Sequence, residues 1–282
     1  MNTGRLPNLI VIGAQKCATT SLHYYLNLHP QITMSREKEL NFFVEDRNWH
    51  RGVEWYQMQF SSSSQVRGEA SPNYTAYPLY RRVPEKMHSI VPDAKLVYVI
   101  RDPIKRILSH YVHNCAVGLE HRSIEEAVKE NDGHNQYVFR SKYFMQLEQY
   151  LAFFPRAQIL IMSAEDLQNK RRSAMRKLFH FLHVDDSYWS PRFFFMWHRS
   201  RFKRQVLEGD NLVLIPTMNA FLERLPFELR GVLERCLLLP FSRQIEKPIL
   251  DNRLRTVIIE YLEQDTEYLR KYTGQPFEGW SV

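Results

Sequence analysis

The hydrophobic pattern divides the chain into short apolar runs and amphipathic stretches. "NLIVIG" (8–13), "KLVYVI" (95–100) and "QILIMS" (158–163) are continuous apolar runs of strand length. Runs of this kind mark strands buried on both faces. Elsewhere the apolar positions repeat at helical spacing. Leu22, Tyr25 and Leu26 predict a helix that stops at Pro30, and further helices are predicted over 77–91, 103–117, 123–131, 141–154 and 166–183. Ser123-x-x-Glu126 and Ser163-x-x-Asp166 are helix-start capping patterns. The last third reads as helical, most clearly over 253–272, where Leu254, Ile258, Leu262 and Leu269 share a face.

Buried strands alternating with helices predict an α/β fold, a central parallel sheet flanked by helices in three layers, with a helical C-terminal part. No repeat or linker divides the sequence, so one domain is expected over 1–282. In such sheets ligands bind beyond the carboxyl ends of the strands. That rule gathers Gly13–Ser21, Arg101–Asp102 and Ser163–Asp166 on one rim.

Composition narrows the class. With 44% hydrophobic and 24% charged residues over 282 positions, the chain has a globular makeup and can bury a substantial core. No run approaches the roughly 20 apolar residues of a membrane span, and "MNTGRLPNLIVIG" lacks the apolar core and cleavage site of a secretory signal. Cys17, Cys115 and Cys236 are odd in number and far apart, which fits a reducing compartment. A cytoplasmic protein without a membrane span is expected. His110 and His113 stand three apart on a predicted helix, yet no metal-ligand spacing follows, so no metal is expected. The formal charge of +7 attracts polyanions in general. No nucleic-acid module accompanies it, and the densest basic run, "HRSRFKRQ" (198–205), is short. A basic pocket for a multiply charged small ligand accounts for the surplus without nucleic acid.

The chemistry concentrates in "VIGAQKCATTSLHYYL" (11–26), where an apolar strand passes through a lysine and three hydroxyl residues into a helix. A nucleoside-triphosphate loop needs G-x-x-x-x-G-K-[ST]. Here Lys16 comes too early and Ala18 stands where a second glycine belongs. An ATP-dependent phosphotransferase is disfavoured. What survives is an anion site made of N–H groups at a helix start, the hydroxyls of Thr19, Thr20 and Ser21, and one cation. A plain helix cap with a nearby lysine would look the same. The second anchor is "VIRDPIKRILSHY" (99–111), with Arg101 leaving a strand end and Ser109 two turns along the next helix. Guanidinium and hydroxyl together make a phosphate clamp.

Taken together these segments resemble one family. "GAQKCATTSL" is similar to the 5′-phosphosulfate loop of sulfotransferases that use 3′-phosphoadenosine 5′-phosphosulfate (PAPS), and "IRDPIKRILSHY" to their 3′-phosphate motif. "SREKELNFF" (35–43), "GEASPNY" (68–74) and "YFMQLEQYLAFFPRAQILIMSAEDL" resemble segments of the heparan-sulfate-type branch and its bacterial relatives. The resemblance covers residues 8 to 205 and implies a P-loop-like fold, PAPS as donor, PAP (3′,5′-ADP) as product, and no metal.

The same resemblance implies roles for single residues. Lys16 would neutralise charge on the leaving oxygen. Cys17, Ala18, Thr19, Thr20 and Ser21 would bind the 5′-phosphosulfate, and Arg101 and Ser109 the 3′-phosphate. Arg199 and Arg204, in the basic run, would close over the phosphates. Glu39, directly after Lys38, would be the general base, with Lys38 holding sulfuryl oxygens; Glu69 and His110 are the alternatives. Asn41, Phe43, Glu69, Tyr74 and His110 would face the acceptor. Asn41 stands where polysaccharide-modifying relatives often have histidine, and Ala70 where they often have lysine. Both departures favour a small-molecule hydroxyl acceptor over a glycan, with an amine or carbamate also open. Ala18 strains the loop only if its φ is positive. A non-catalytic anion binder remains the competing class.

Overall fold

The computed structural model describes residues 5–60, 63–129, 135–194, 204–206 and 242–282. Five parallel strands form its centre: β1 (Leu9–Gly13), β2 (Ile32–Met34), β3 (Val66–Ala70), β4 (Lys95–Ile100) and β5 (Ile159–Ser163), in the order β2-β3-β1-β4-β5. β1 and β5 are buried throughout, and β4 is buried except at Lys95. These are the three strands the apolar runs predict. β2 and β3 escape that pattern. The first has three residues, and "VRGEA" interrupts its apolar positions with Arg67, Gly68 and Glu69. Gly68 is there for space, since a Cβ would sit 2.7 Å from Met34 Sδ and 3.1 Å from Leu9 Cδ2.

The flanking helices are α1 (Thr19–Asn27), α2 (Gly52–Met58), α3 (Val83–Ile90), α4 (Pro103–Ala116), α5 (Ile124–Lys129), α6 (Gln136–Phe139), α7 (Tyr143–Leu151), α8 (Ala164–Asn169), α9 (Arg171–Leu182) and α10 (Asn252–Thr273). Both predicted caps form. Ser163 Oγ accepts from Asp166 N at 3.0 Å, while Ser123 Oγ and Glu126 Oε2 accept from each other's main-chain N–H at 3.3 and 2.9 Å. The helix predicted over 77–91 begins only at Val83. Tyr77 precedes Pro78, and a residue before proline is pushed out of the helical region; Pro84 instead occupies a first turn, where its missing N–H costs nothing. The stretch 166–183 is two helices, parted at Lys170 (φ −124°, ψ 39°).

In the C-terminal third, α10 matches the predicted amphipathic helix and lays Leu254, Ile258 and Leu262 against Ile104, Ile107 and Ile124 in a second, smaller core cluster. Short strands β6 (Arg204–Val206) and β7 (Ser242–Gln244) pair antiparallel in the same third. No helix among the described residues is long and apolar enough to cross a membrane. β1 is the crossing point of the sheet: its successor in sequence lies to one side of it and β4 to the other. A crevice opens at that point beyond the strand ends.

Candidate active site

The turn after β1 is shaped by close approach. A Cβ on Gly13 would overlap the Thr75 hydroxyl, so only glycine lets these segments meet. Ala14 N then donates to Val99 O of β4, and Cys17 N to Ala14 O at 3.1 Å. Lys16 (φ 70°) and Ala18 (φ 65°) both adopt the left-handed conformation. Ala18 therefore takes the shape for which glycine is usually chosen, at a cost of about 1 kcal/mol. It is also the N-cap of α1 and offers no side-chain cap. The first helical bond runs from Leu22 N to Ala18 O, which leaves the N–H groups of Thr19 and Thr20 without an intrahelical acceptor.

The second wall is α4. Asp102 caps it, accepting from Lys105 N at 3.0 Å, and Pro103 fills the first turn. Arg101, Lys105, Ser109 and His113 follow one another at four-residue steps, so the three helical ones share the face that continues from Arg101. Ile100 is paired with Ser163 in the sheet. Arg101–Asp102 and Ala164–Glu165 consequently leave it side by side, and Glu165 Oε1 accepts from Asp102 N at 3.1 Å.

These walls enclose a cavity of about 560 Å³. Lys16, Ala18, Thr19, Thr20, Ser21, Glu39, Arg101 and Ser109, all singled out in the sequence, line it together. It also takes in Glu165, from the rim segment Ser163–Asp166, and residues that the sequence did not single out for the site: Lys105 and His113 from α4, and Gln168, Asn169 and Arg171 from α8 and α9. For α4 the signal was available, because the four-residue steps from Arg101 point to Lys105 and His113. Cationic side chains enter from the loop, α4 and α9, whereas Glu165 is engaged with Asp102 N and Ser163 Oγ.

The segment carrying Glu39 is fastened to β3. Glu39 N donates to Ala70 O at 3.1 Å, and Asn41 N to Ser71 Oγ at 3.0 Å. Glu39 (φ 65°) and Asn41 (φ 47°) both have left-handed backbones. Lys38 Nζ donates to Glu39 Oε1 at 2.6 Å. Asn41 does not line the cavity; its Nδ2 donates to Glu39 O at 2.8 Å, and its Oδ1 accepts from Asn73 Nδ2 at 3.2 Å.

Glu69, weighed above as an alternative base, lies behind that segment and not in the cavity. It is fully buried and accepts from Tyr56 OH (2.5 Å), Tyr74 OH (2.8 Å) and Ser71 Oγ (2.6 Å). Burial pushes its carboxyl above the ordinary value against the pull of those three hydroxyls. Both oxygens carry hydrogen bonds and the side chain is 0% exposed, so it organises the loop and does not face the cavity. Tyr74 and Phe43 belong to the same buried cluster, their rings 5.5 Å apart, and neither lines this cavity.

His110 is displaced as well. It lies one residue beyond Ser109 and so faces away, packed on the Tyr137 ring at 4.7 Å. Burial, and then the neighbouring Arg106 and Arg140, hold its imidazole well below the usual value. Cys17 is under the loop with its Sγ 3.7 Å from Tyr143 OH, and burial pushes its thiol up to about 11. With its N–H given to Ala14 O, it has nothing left to offer a phosphate. Arg199 lies outside the described residues. Arg204 begins β6, whose backbone runs beside α4.

The profile of the sulfotransferase domain matches residues 6–202, and the chain belongs to that family. It is similar to the human bifunctional heparan sulfate N-deacetylase/N-sulfotransferase 2, with 27% identity over 199 residues, covering 64% of this chain and 22% of the relative. It is also similar to heparan sulfate glucosamine 3-O-sulfotransferase 5 of Mus musculus, with 32% identity over 174 residues, 58% of this chain and 49% of the relative. The chain thus spans between about a fifth and a half of the length of these curated relatives. Among solved structures, a sulfotransferase from Alicyclobacillus acidocaldarius shares the fold with a TM-score of 0.71 at 20% identity, covering 99% of this chain and 100% of that one.

Proposed function

We propose that this chain transfers a sulfuryl group from PAPS to a hydroxyl group of a small-molecule acceptor. The observation that carries the proposal is the meeting of Lys16, Thr19–Ser21, Arg101, Ser109 and Glu39 on one cavity. The donor set suits an anionic nucleotide: an uncapped helix start, hydroxyls, an ammonium and a guanidinium converge there. Thr19, Thr20 and Ser21 would hold the 5′-phosphate. Arg101 and Ser109, on the same cavity, would hold the 3′-phosphate that distinguishes PAPS from ATP, with Lys105 beside them.

PAPS supplies an activated sulfuryl group whose departure leaves negative charge on a phosphate oxygen. Lys16 is the cation on the loop that would neutralise that charge, a contribution of the electrostatic kind that dominates many active sites. Glu39 would accept the acceptor's proton as its oxygen bonds to sulfur, and Lys38 orients the carboxylate through their 2.6 Å contact. Asn41 and Glu69 act one layer back, holding the Glu39 segment against β3. Arg199 and Arg204 are proposed to approach the phosphates from the basic run, in a cytoplasmic enzyme of one domain.

The test is formation of 3′,5′-ADP from PAPS with two acceptor panels, one of hydroxylated small molecules and one of heparan-type polysaccharides. Turnover with a small molecule supports the proposal. Turnover with polysaccharide alone overturns the acceptor class, and turnover with neither, in the presence of tight 3′,5′-ADP binding, favours a non-catalytic anion binder.

A further inference from the structure

Arg101 is followed by a buried carboxylate whose partners come from the far end of the sequence. Asp102 is 0% exposed. Its Oδ1 accepts from Lys105 N at 3.0 Å, and its Oδ2 accepts from both the main-chain N–H and the hydroxyl of Ser281, each at 2.8 Å. Lys105 Nζ lies 3.7 Å from the same Oδ2. That distance suits an ion pair but exceeds a hydrogen bond, and Lys105 lines the cavity instead.

The segment that delivers Ser281 is itself fixed. Arg270, in the last turns of α10, donates from Nε to Pro276 O at 3.0 Å and from Nη2 to Val282 O at 2.6 Å. Between them the Trp280 ring stacks on Phe277, with centroids 4.4 Å apart and planes 17° from parallel, and its other neighbour is Tyr143 at 5.9 Å. The guanidinium fork and the aromatic pair hold the stretch 274–282 as a strap whose polar contact falls on the residue next to Arg101.

We propose that this strap is a positioning element for the cofactor's 3′-phosphate clamp, with Ser281 acting through Asp102 and Lys105. The inference rests on the reading above that Arg101 and Ser109 face that phosphate. A buried carboxylate takes whatever donors are nearest. While Ser281 supplies two, Oδ2 is satisfied, the cap of α4 is fixed, and the Lys105 ammonium stays with the cavity. Without the hydroxyl, the nearest replacement is Lys105, which closes onto Oδ2 and leaves the anion site one cation poorer. Ser281 therefore tunes affinity for the 3′-phosphate without touching the ligand.

Calorimetry on the full chain with 3′,5′-ADP and 5′-AMP tests this, using the unsubstituted protein, Ser281→Ala, Ser281→Thr, Lys105→Ala and the Ser281→Ala/Lys105→Ala double variant. Ser281→Ala should weaken 3′,5′-ADP by about three- to tenfold, the net range for one ordinary hydrogen bond, since the effect reaches the phosphate only through Lys105, and leave 5′-AMP within about twofold. Ser281→Thr, which keeps the hydroxyl, should restore binding. In the Lys105→Ala background the Ser281→Ala change should have almost no further effect, since the two act through one contact. Equal weakening of both nucleotides, or independent effects of the two substitutions, would overturn the inference. Should Ser281→Ala not fold, Ser281→Cys, a poorer donor of similar size, must show the same selective loss. If the unsubstituted protein does not prefer 3′,5′-ADP to 5′-AMP, the reading of the clamp fails and this inference with it. A preference that survives intact in Ser281→Ala overturns the inference alone.

Discussion

The Lys38 ammonium lies 2.6 Å from Glu39 Oε1, and of these two neighbours only Glu39 lines the cavity. The lysine orients the carboxylate from outside, and the left-handed backbone at Glu39 sets the turn on which that side chain stands. Replacing the carboxylate by its amide keeps size and polarity but removes the proton acceptor. Glu39→Gln should bind 3′,5′-ADP as the unsubstituted protein does and lose about 10²- to 10⁴-fold in turnover. Retention of more than about a tenth of turnover when chemistry limits the rate would exclude Glu39 as base and turn attention to His113, the α4 histidine on the cavity.

Arg101 follows β4, the strand paired with β1, and lines the cavity together with the loop. In the proposed binding mode its loss would remove a charge-assisted bond from the 3′-phosphate only. Arg101→Ala should weaken 3′,5′-ADP by about 2–3 kcal/mol and weaken 5′-AMP far less. Equal losses for the two nucleotides in the same titration would assign Arg101 to another part of the ligand.

Ala18 holds a left-handed conformation (φ 65°) that glycine adopts without steric cost. Ala18→Gly should raise stability by up to about 1 kcal/mol in urea unfolding, part of the relief being offset by the greater freedom of glycine in the unfolded chain. A lower stability would mean that the Ala18 methyl packs usefully, outweighing the backbone strain.

His110 gives a pH signature. Its imidazole is held well below 6.5 by burial and then by Arg106 and Arg140, so the folded protein keeps it neutral where the unfolded chain protonates it. The stabilisation is present above the unfolded value of 6.5 and is lost progressively as pH falls below it. Denaturant unfolding from about pH 7.5 to about pH 5 should show a smaller decline for His110→Gln than for the unsubstituted protein. Parallel declines would show that other groups govern that range.

How much of this was legible follows from where each interaction's partners sit in the sequence. β1, β4 and β5 could be read because each is buried on both faces and so carries its evidence in its own residues. β3 could not: Glu69 is tolerable inside a strand only because Tyr56, Ser71 and Tyr74 bring hydroxyls to it, and nothing local to "VRGEA" announces them. The same limit moved Glu69 and His110 into the expected acceptor site. Glutamate and histidine beside a matching motif look functional until burial shows one locked by hydroxyls and the other turned to Tyr137. The set from the loop and the end of β4 that lines the cavity was more legible, since loop, helix start and strand end are local features in fixed order. Asp102–Ser281 illustrates the opposite case, a contact across 179 positions that only the folded chain reveals.

The central claim is that one cavity holds a nucleotide by both its 5′ and its 3′ phosphates. Titration calorimetry of the full chain in metal-free buffer, with 3′,5′-ADP, ATP and 5′-AMP in parallel, addresses it without knowledge of the acceptor. The account predicts tight binding of 3′,5′-ADP, at least about tenfold weaker binding of 5′-AMP, and no advantage for ATP when magnesium is added. Equal affinity for 3′,5′-ADP and 5′-AMP, or magnesium-dependent binding of ATP above both, would contradict it.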